Sequence, residues 1–233
     1  MNYSKAMGHI SASEYVAPQT NSRLRLIKTE SSGDGLVRER RAIFLDRDGV
    51  INALRSGHVT AWSEFQFLPG ALAAIRQLSL LGWPIVVATN QSAVARGLLS
   101  AHGLSEIHRR MVAQVEDAGG RIDLIVHCPH MPEDKCMCRK PEPGLFQRAA
   151  ETLNVELAES YFIGDTPSDL GAARTLGMKF VLVRSGLGAK SLAQQPALAR
   201  QADWLADTIA EASQWILERE DADVETRPER QAA

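Results

Sequence analysis

The sequence predicts an α/β protein built on a doubly wound parallel sheet, and two patterns predict it. Short runs that are apolar throughout (42–45, 84–88, 122–126, 161–163 and 179–183) alternate with longer amphipathic stretches. Strands buried on both faces read this way, and the stretches between them supply the covering helices. The second pattern is the point at which polarity resumes: the runs end on Asp46, Thr89, His127 and Asp165. In such sheets ligands sit beyond the carboxyl ends of the strands, so these ends mark a candidate site.

Local signals justify each element. Residues 1–39 are polar, rich in Ser, Thr and charge, and lack periodicity; they are expected to form a disordered extension outside the core. The strand 42–45 opens a domain expected to span 40–220. Pro69-Gly70 introduces a helix over 71–81 that Gly82 closes, and Pro84 begins the second buried strand. A helix over 104–118 stops at Gly119-Gly120. The strand 122–126 leads into a loop through Pro143 and a helix over 145–153. The strand 161–163, a helix over 168–176, the strand 179–183 and a helix over 208–218 complete the domain. Residues 221–233 are charged, contain Pro228 and read as a frayed tail.

A chain of 233 residues, 45% of them apolar, has the material for one domain of about 150–200 residues plus tails. A core of that size folds without staples. The net charge of −2 gives no global reason to bind nucleic acid or an anionic membrane, so a site for an anion has to be built locally. No apolar run approaches the ~18–20 residues of a membrane span. The stretch from Met1 to Gln19 lacks the apolar centre of a secretory signal. The three cysteines fall together within 128–138, unlike the even, spread-out set of an extracellular disulfide framework. The expectation is a cytoplasmic monomer with neither a nucleic-acid nor a membrane partner.

Asp46-Arg47-Asp48-Gly49 places two carboxylates two residues apart just past the first strand. Asp and Gly also make ordinary turns. The chemical reading is a nucleophile, Asp46, that attacks phosphorus, and an acid/base, Asp48, that protonates the leaving oxygen and later deprotonates water. Close carboxylates repel unless a cation joins them, so this reading demands a metal. Gly164-Asp165-Thr166-Pro167-Ser168-Asp169 follows a strand and opens a helix. An N-cap accounts for one of its polar residues but not for a second Asp four positions on. Asp165 facing Asp46 would complete an all-oxygen Mg2+ site. Thr89-Asn90-Gln91 can bind phosphoryl oxygens, and Lys140 can offset their charge.

Asp-x-Asp-Gly, a strand-end Thr, Lys-Pro and Gly-Asp-x-x-x-Asp, in that order, resemble the four motifs of the haloacid dehalogenase superfamily from about residue 42 to 183. The resemblance implies Asp46 as nucleophile and Asp48 as acid/base. It also implies Mg2+ held by Asp46, Asp165 and the main-chain carbonyl of Asp48, with Thr89 and Lys140 on phosphate.

Cys128-Pro129-His130 followed by Cys136-Met137-Cys138 puts three thiols and an imidazole within eleven residues, a complete ligand set for a closed, structural Zn2+ site. Its expected job is to fix the loop that carries Arg139 and Lys140. Buried free cysteines and a redox pair are the alternatives, although Cys-x-Cys is an awkward redox spacing. With this loop, Phe44 to Asn52 and Thr89 to Gly97 resemble the D-glycero-D-manno-heptose 1,7-bisphosphate phosphatases and the similar histidinol-phosphatases. That narrower resemblance implies a small sugar-phosphate substrate, no large cap domain, and Arg139, Asn52 and Gln91 as substrate contacts. Thr166 stands where the heptose enzymes commonly have Lys, which leaves another phosphomonoester such as histidinol phosphate as the alternative. A catalytically silent, zinc-stabilised binding module is the alternative of a different class. His58 reads as a loop residue, and His102 and His108 as solvent-facing positions near or on a helix.

Overall fold

The computed structural model describes Glu14–Tyr15 and residues 41–226. The rest of the expected extension and the residues after 226 lie outside this description. Six strands, β2 (Ile43–Leu45), β3 (Ile85–Asn90), β4 (Leu124–Cys128), β5 (Tyr161–Gly164), β6 (Lys179–Val183) and β7 (Trp204–Ala206), pair in parallel in the order 4-3-2-5-6-7. Within the stretch expected to stay outside the core, the two-residue strand β1 (Glu14–Tyr15) pairs antiparallel with Val126 and Ile125 of β4.

The strand order decides where chemistry can happen. From central β2 the chain moves outward to β3 and β4, then returns to lay β5 on the other side of β2. The connections therefore diverge between β2 and β5 and leave a crevice at their carboxyl ends. Asp46 and Asp165 are the residues that follow those two strands.

Period-two alternation sorts each strand between two cores. Ile43, Leu45, Val87, Ile125, Ile163 and Val181 point toward α1 (Ala71–Ser79), α2 (Ala101–Asp117) and α7 (Ile209–Thr226). Phe44, Val86, Leu124, Phe162 and Phe180 face α3 (Gly144–Leu153) and α4 (Pro167–Thr175). On that side the rings of Phe44, Phe146, Phe162 and Phe180 follow one another with centroids 4.9–5.6 Å apart.

Several boundaries differ from the sequence expectation for identifiable reasons. Helix α2 begins at Ala101 because the Ser100 side chain accepts the Gly103 N–H at 3.0 Å, an N-cap upstream of the apolar stripe. Strand β4 runs on to Cys128, which ties the cysteine loop directly to the sheet. Strand β7 and the short helices α5 (Gly188–Gln194) and α6 (Leu198–Gln201) were not anticipated. Helix α7 extends past 218 into the expected tail because Glu220 is anchored: it takes the Tyr161 hydroxyl at 2.5 Å and forms an ion pair with buried Arg41. The Arg41 guanidinium also lies over the Trp83 ring at 5.3 Å.

This anchor sits at the amino end of the sheet, opposite the crevice. Glu220→Ala removes the nearer carboxylate from a buried guanidinium and should cost about 3 kcal/mol of stability. A denaturant titration that leaves the unfolding midpoint unchanged would show the ion pair to be dispensable.

Candidate active site

Four polar side chains converge at the crevice. Lys140, 3% exposed, forms ion pairs with Asp46 Oδ1 at 2.9 Å and Asp169 Oδ1 at 2.7 Å and donates to the Ala88 carbonyl at 2.8 Å. Asp46 Oδ1 also accepts the Arg47 N–H at 2.7 Å, so both contacts fall on one oxygen and Oδ2 stays outside this network. Asp165 is fully buried, with Oδ2 taking the Leu187 N–H at 2.6 Å. Asp169 does two jobs, because its Oδ2 caps α4 by accepting from the Thr166 N–H at 3.0 Å and hydroxyl at 2.6 Å.

The backbone wraps Asp165 closely enough to dictate glycine. A Cβ on Gly49 would lie 2.2 Å from Asp165 Oδ2, and one on Gly186 would lie 2.1 Å away. Both glycines also have φ in the left-handed region, at +92° and +60°. The Ser185 hydroxyl donates to the Gly49 carbonyl at 2.7 Å and binds the two loops together.

Electrostatics set these carboxylates apart. Burial pushes Asp165 up to about 8, with the Asp46 and Asp169 charges adding to the shift. Burial likewise raises Asp46 to about 6, Lys140 opposing and Asp169 assisting. Burial opposes the Lys140 charge, but Asp169 and Asp46 outweigh it and hold the ammonium above its ordinary range. Asp46, Asp165 and Asp169 each offer an oxygen within 4.8 Å of the others. Against these three carboxylates stands one ammonium, and buried Asp165 Oδ1 has no hydrogen-bond partner among the described residues. An orphaned, desolvated oxygen in a negative, all-oxygen cluster fits a hard divalent cation.

The Asp48 carboxylate belongs to a different environment. It accepts from Arg47 Nη2 at 2.9 and 2.8 Å, from Asn52 Nδ2 at 2.9 Å and from Gln91 Nε2 at 2.7 Å. Burial alone would raise its pKa, but Arg47, Asn52 and Gln91 hold it below the ordinary carboxylate range. Asn52 is fully buried, and its amide nitrogen is shared between Asp48 and the Ala53 carbonyl. Gln91 also donates to the Thr89 hydroxyl at 2.9 Å. Asn90 grips the main chain of Lys140 at both atoms, at 3.1 and 3.2 Å. These contacts turn Asn52 and Asn90 toward the protein, where they brace Asp48 and the Lys140 segment.

The cysteine loop closes on itself beside this cluster in sequence. Cys128 Sγ lies 3.5 Å from His130 Nδ1 and 3.6 Å from Cys136 Sγ, and Cys138 Sγ lies 3.3 Å from His130 Nδ1 and 3.5 Å from Cys136 Sγ. All four ligand atoms lie within 4.8 Å of one another, and three thiols with one imidazole in so small a volume fit a four-coordinate zinc site. The half-buried Arg139 donates to the His130 carbonyl at 3.1 Å, so the loop holds this side chain as well.

Two residues escaped the sequence reading. Arg47, between the two acids, is fully buried rather than solvent-facing. His108, expected to face solvent, is buried as well. Its spacing from Leu104, Met111, Val112 and Val115 places it within the apolar stripe of α2, a signal the sequence carried. His102 is exposed and His58 half-buried.

A family model described as haloacid dehalogenase-like hydrolase matches residues 7–174. The D-glycero-beta-D-manno-heptose-1,7-bisphosphate 7-phosphatase of Pseudomonas aeruginosa is 42% identical over 153 residues, covering 66% of this chain and 86% of that protein. Its counterpart from Neisseria meningitidis serogroup B is 37% identical over 180 residues, covering 77% and 96%. Among solved structures, the D,D-heptose 1,7-bisphosphate phosphatase from B. bronchiseptica, complexed with magnesium and phosphate, aligns with a TM-score of 0.73 at 39% identity. That alignment covers 77% of this chain and 99% of the other. Fold, site and sequence agree: the chain belongs to the haloacid dehalogenase-like hydrolases.

Proposed function

We propose that this enzyme hydrolyses phosphomonoesters through an aspartyl-phosphate on Asp46 and removes the 7-phosphate of D-glycero-D-manno-heptose 1,7-bisphosphate. The observation that carries the reading is Asp46 at the topological switch point, with Lys140 on one oxygen and Asp48, held by donors from Arg47, Asn52 and Gln91, two residues away. The substrate is supported by the names of relatives at 37–42% identity.

Asp46 attacks phosphorus as the bond to the sugar oxygen breaks, and Asp48 gives that oxygen its proton. Asp48 then takes a proton from water, which attacks the aspartyl-phosphate, releasing phosphate and restoring Asp46. Lys140 and the Thr89 hydroxyl offset charge on the phosphoryl oxygens. Asn52 and Gln91 hold Asp48, Asn90 holds the Lys140 segment, and Arg139 meets the substrate at the edge of the cysteine loop. Asp46, Asp165 and the Asp48 carbonyl would hold Mg2+, which supplies charge compensation during transfer. Cys128, His130, Cys136 and Cys138 would hold a structural Zn2+ that fixes the loop carrying Arg139 and Lys140. One chain supplies all of these residues, in keeping with a monomer, and the clustered thiols suit a reducing cytoplasm.

A phosphate-release assay across both anomers of the heptose bisphosphate, fructose 1,6-bisphosphate and histidinol phosphate tests the substrate, with the β anomer expected to have the highest kcat/KM. A clear preference for histidinol phosphate would reassign it. Asp46→Asn should lose orders of magnitude in kcat with the fold intact, and activity within about tenfold of wild type would remove Asp46 from its role.

Asp46 and Asp165 have native pKa values raised from 3.8 to about 6 and about 8. Their contribution to stability is full below the unfolded value and declines as pH rises through the folded values. In EDTA, Tm should therefore fall as pH rises from about 7 to about 8, past the midpoint of imidazole titration. Mg2+ should restore most at the higher pH, and Asp165→Asn should flatten the slope. A flat wild-type profile in EDTA would contradict the desolvated cluster.

Zinc separates structure from catalysis. Cys136→Ser should lose the metal, keep its circular dichroism and raise KM. Purified wild-type protein without zinc, whose three cysteines all react with a thiol reagent, would exclude the metal site.

A further inference from the structure

Beneath Asp48 lies a buried polar group that the steps above do not use. The chain turns after Asp46 and sends Arg47 into the protein body toward α2. While Nη2 donates to both Asp48 oxygens, Nη1 lies 3.3 Å from Nε2 of His108. The His108 ring meets His127 edge-on, with centroids 5.7 Å apart and planes at 65°.

The chemistry of the pair fixes the protonation of the imidazole. A guanidinium has only donors, so Nε2 presents a lone pair to Arg47. Burial, with the Arg47 cation and His127 beside it, holds His108 well below its ordinary pKa, and the ring is neutral. Its single proton is then on Nδ1, which has no hydrogen-bond partner among the described residues. A buried N–H without an acceptor is destabilising, a cost that Leu on this apolar helix face would avoid. Among the described residues the one polar contact of the ring is with Arg47, which points to a contribution through that guanidinium.

We propose that Arg47, oriented by neutral His108, is the positioning residue that aims the Asp48 carboxylate for proton transfer. The inference rests on Asp48 as the acid/base. Asn52 holds Oδ1 and Gln91 holds Oδ2, each through a neutral amide. Arg47 reaches both oxygens through Nη2 and adds the cation that draws the carboxylate toward one side of that cradle. His108 holds the other terminal nitrogen, so the guanidinium plane cannot swing away.

The test varies His108, which touches neither Asp48 nor substrate. His108→Leu removes the acceptor, and His108→Gln retains one in its amide oxygen. First-turnover rates are compared for p-nitrophenyl phosphate, whose phenolate leaves without a proton, and glycerol phosphate, whose alkoxide needs one. In His108→Leu the alkyl ester should slow by at least about tenfold at little-changed KM, up to the ~10²–10⁴-fold typical of losing an acid/base group outright. Release of p-nitrophenolate should change by less than about twofold, and His108→Gln should bring the alkyl ester back to within about threefold of wild type. Arg47→Lys, which keeps the charge but loses the planar fork, should show the same selectivity for leaving group and replaces His108→Leu if that variant does not fold. Independently of turnover, 15N spectra of histidine-labelled protein, assigned by loss of a signal in His108→Gln, should show His108 neutral and protonated on Nδ1. Equal slowing of both esters, no slowing, no recovery with Gln, or a proton on Nε2 would each overturn the proposal. Wild-type protein that releases phosphate from no monoester would instead sink the hydrolase reading.

Discussion

A lysine ammonium enclosed by two carboxylates and a main-chain carbonyl is the interaction on which the rest of the site depends. Lys140 brings three parts of the chain together: the residue after β2, the first turn of α4 and the end of β3. A buried ammonium is costly to desolvate and is retained only with such partners. Its position is enforced from outside as well, because Asn90 grips its backbone and the cysteine loop ends immediately before it. The charge remains insufficient for the carboxylates around it. Burial raises Asp46 and Asp165, the unbalanced like charges add to the shift, and the crevice fits a cation.

The two carboxylates of the Asp-x-Asp pair are separated by environment more than by distance along the chain. Asp46 sits among like charges in a desolvated crevice and is pushed upward. Asp48 is surrounded by donors from Arg47, Asn52 and Gln91 and is pulled downward. Two residues of backbone suffice because the intervening Arg47 points inward and supplies the cation for its neighbour. Without a cation this order is the reverse of the working one, because a nucleophile must be ionised and an acid protonated, so the proposed roles require a cation at Asp46 and substrate oxygen at Asp48 to invert it.

Much of this was legible in the sequence, and the omissions have physical causes. Apolar runs ending on Asp46, Thr89 and Asp165 gave the sheet and its crevice, because a strand buried on both faces has no polar alternation to obscure it. Cys128, His130, Cys136 and Cys138 could be grouped because their ligand atoms are brought together by local chain geometry alone. Arg47 and His108 were missed because their partnership spans sixty-one positions and because a charged residue is ordinarily assigned to solvent. Asn52 and Asn90 were visible as polar residues near the site, but sequence does not reveal which way an amide turns. Strand β7 is three residues long and too brief for a periodicity signal. The end of α7 was set by a contact with Arg41, almost the whole domain away in sequence.

The short antiparallel pairing of Glu14–Tyr15 with β4 has a consequence for how the molecule meets its neighbours. A parallel sheet ends in rows of unpaired amides and carbonyls, which can template a strand from another copy. Among the described residues the sheet ends on a two-residue strand at one side and on three-residue β7 at the other. Neither offers the length of backbone that edge-to-edge association requires, and β1 runs against the direction of the strands beside it. Among the described residues, both margins of the sheet are thus short edges.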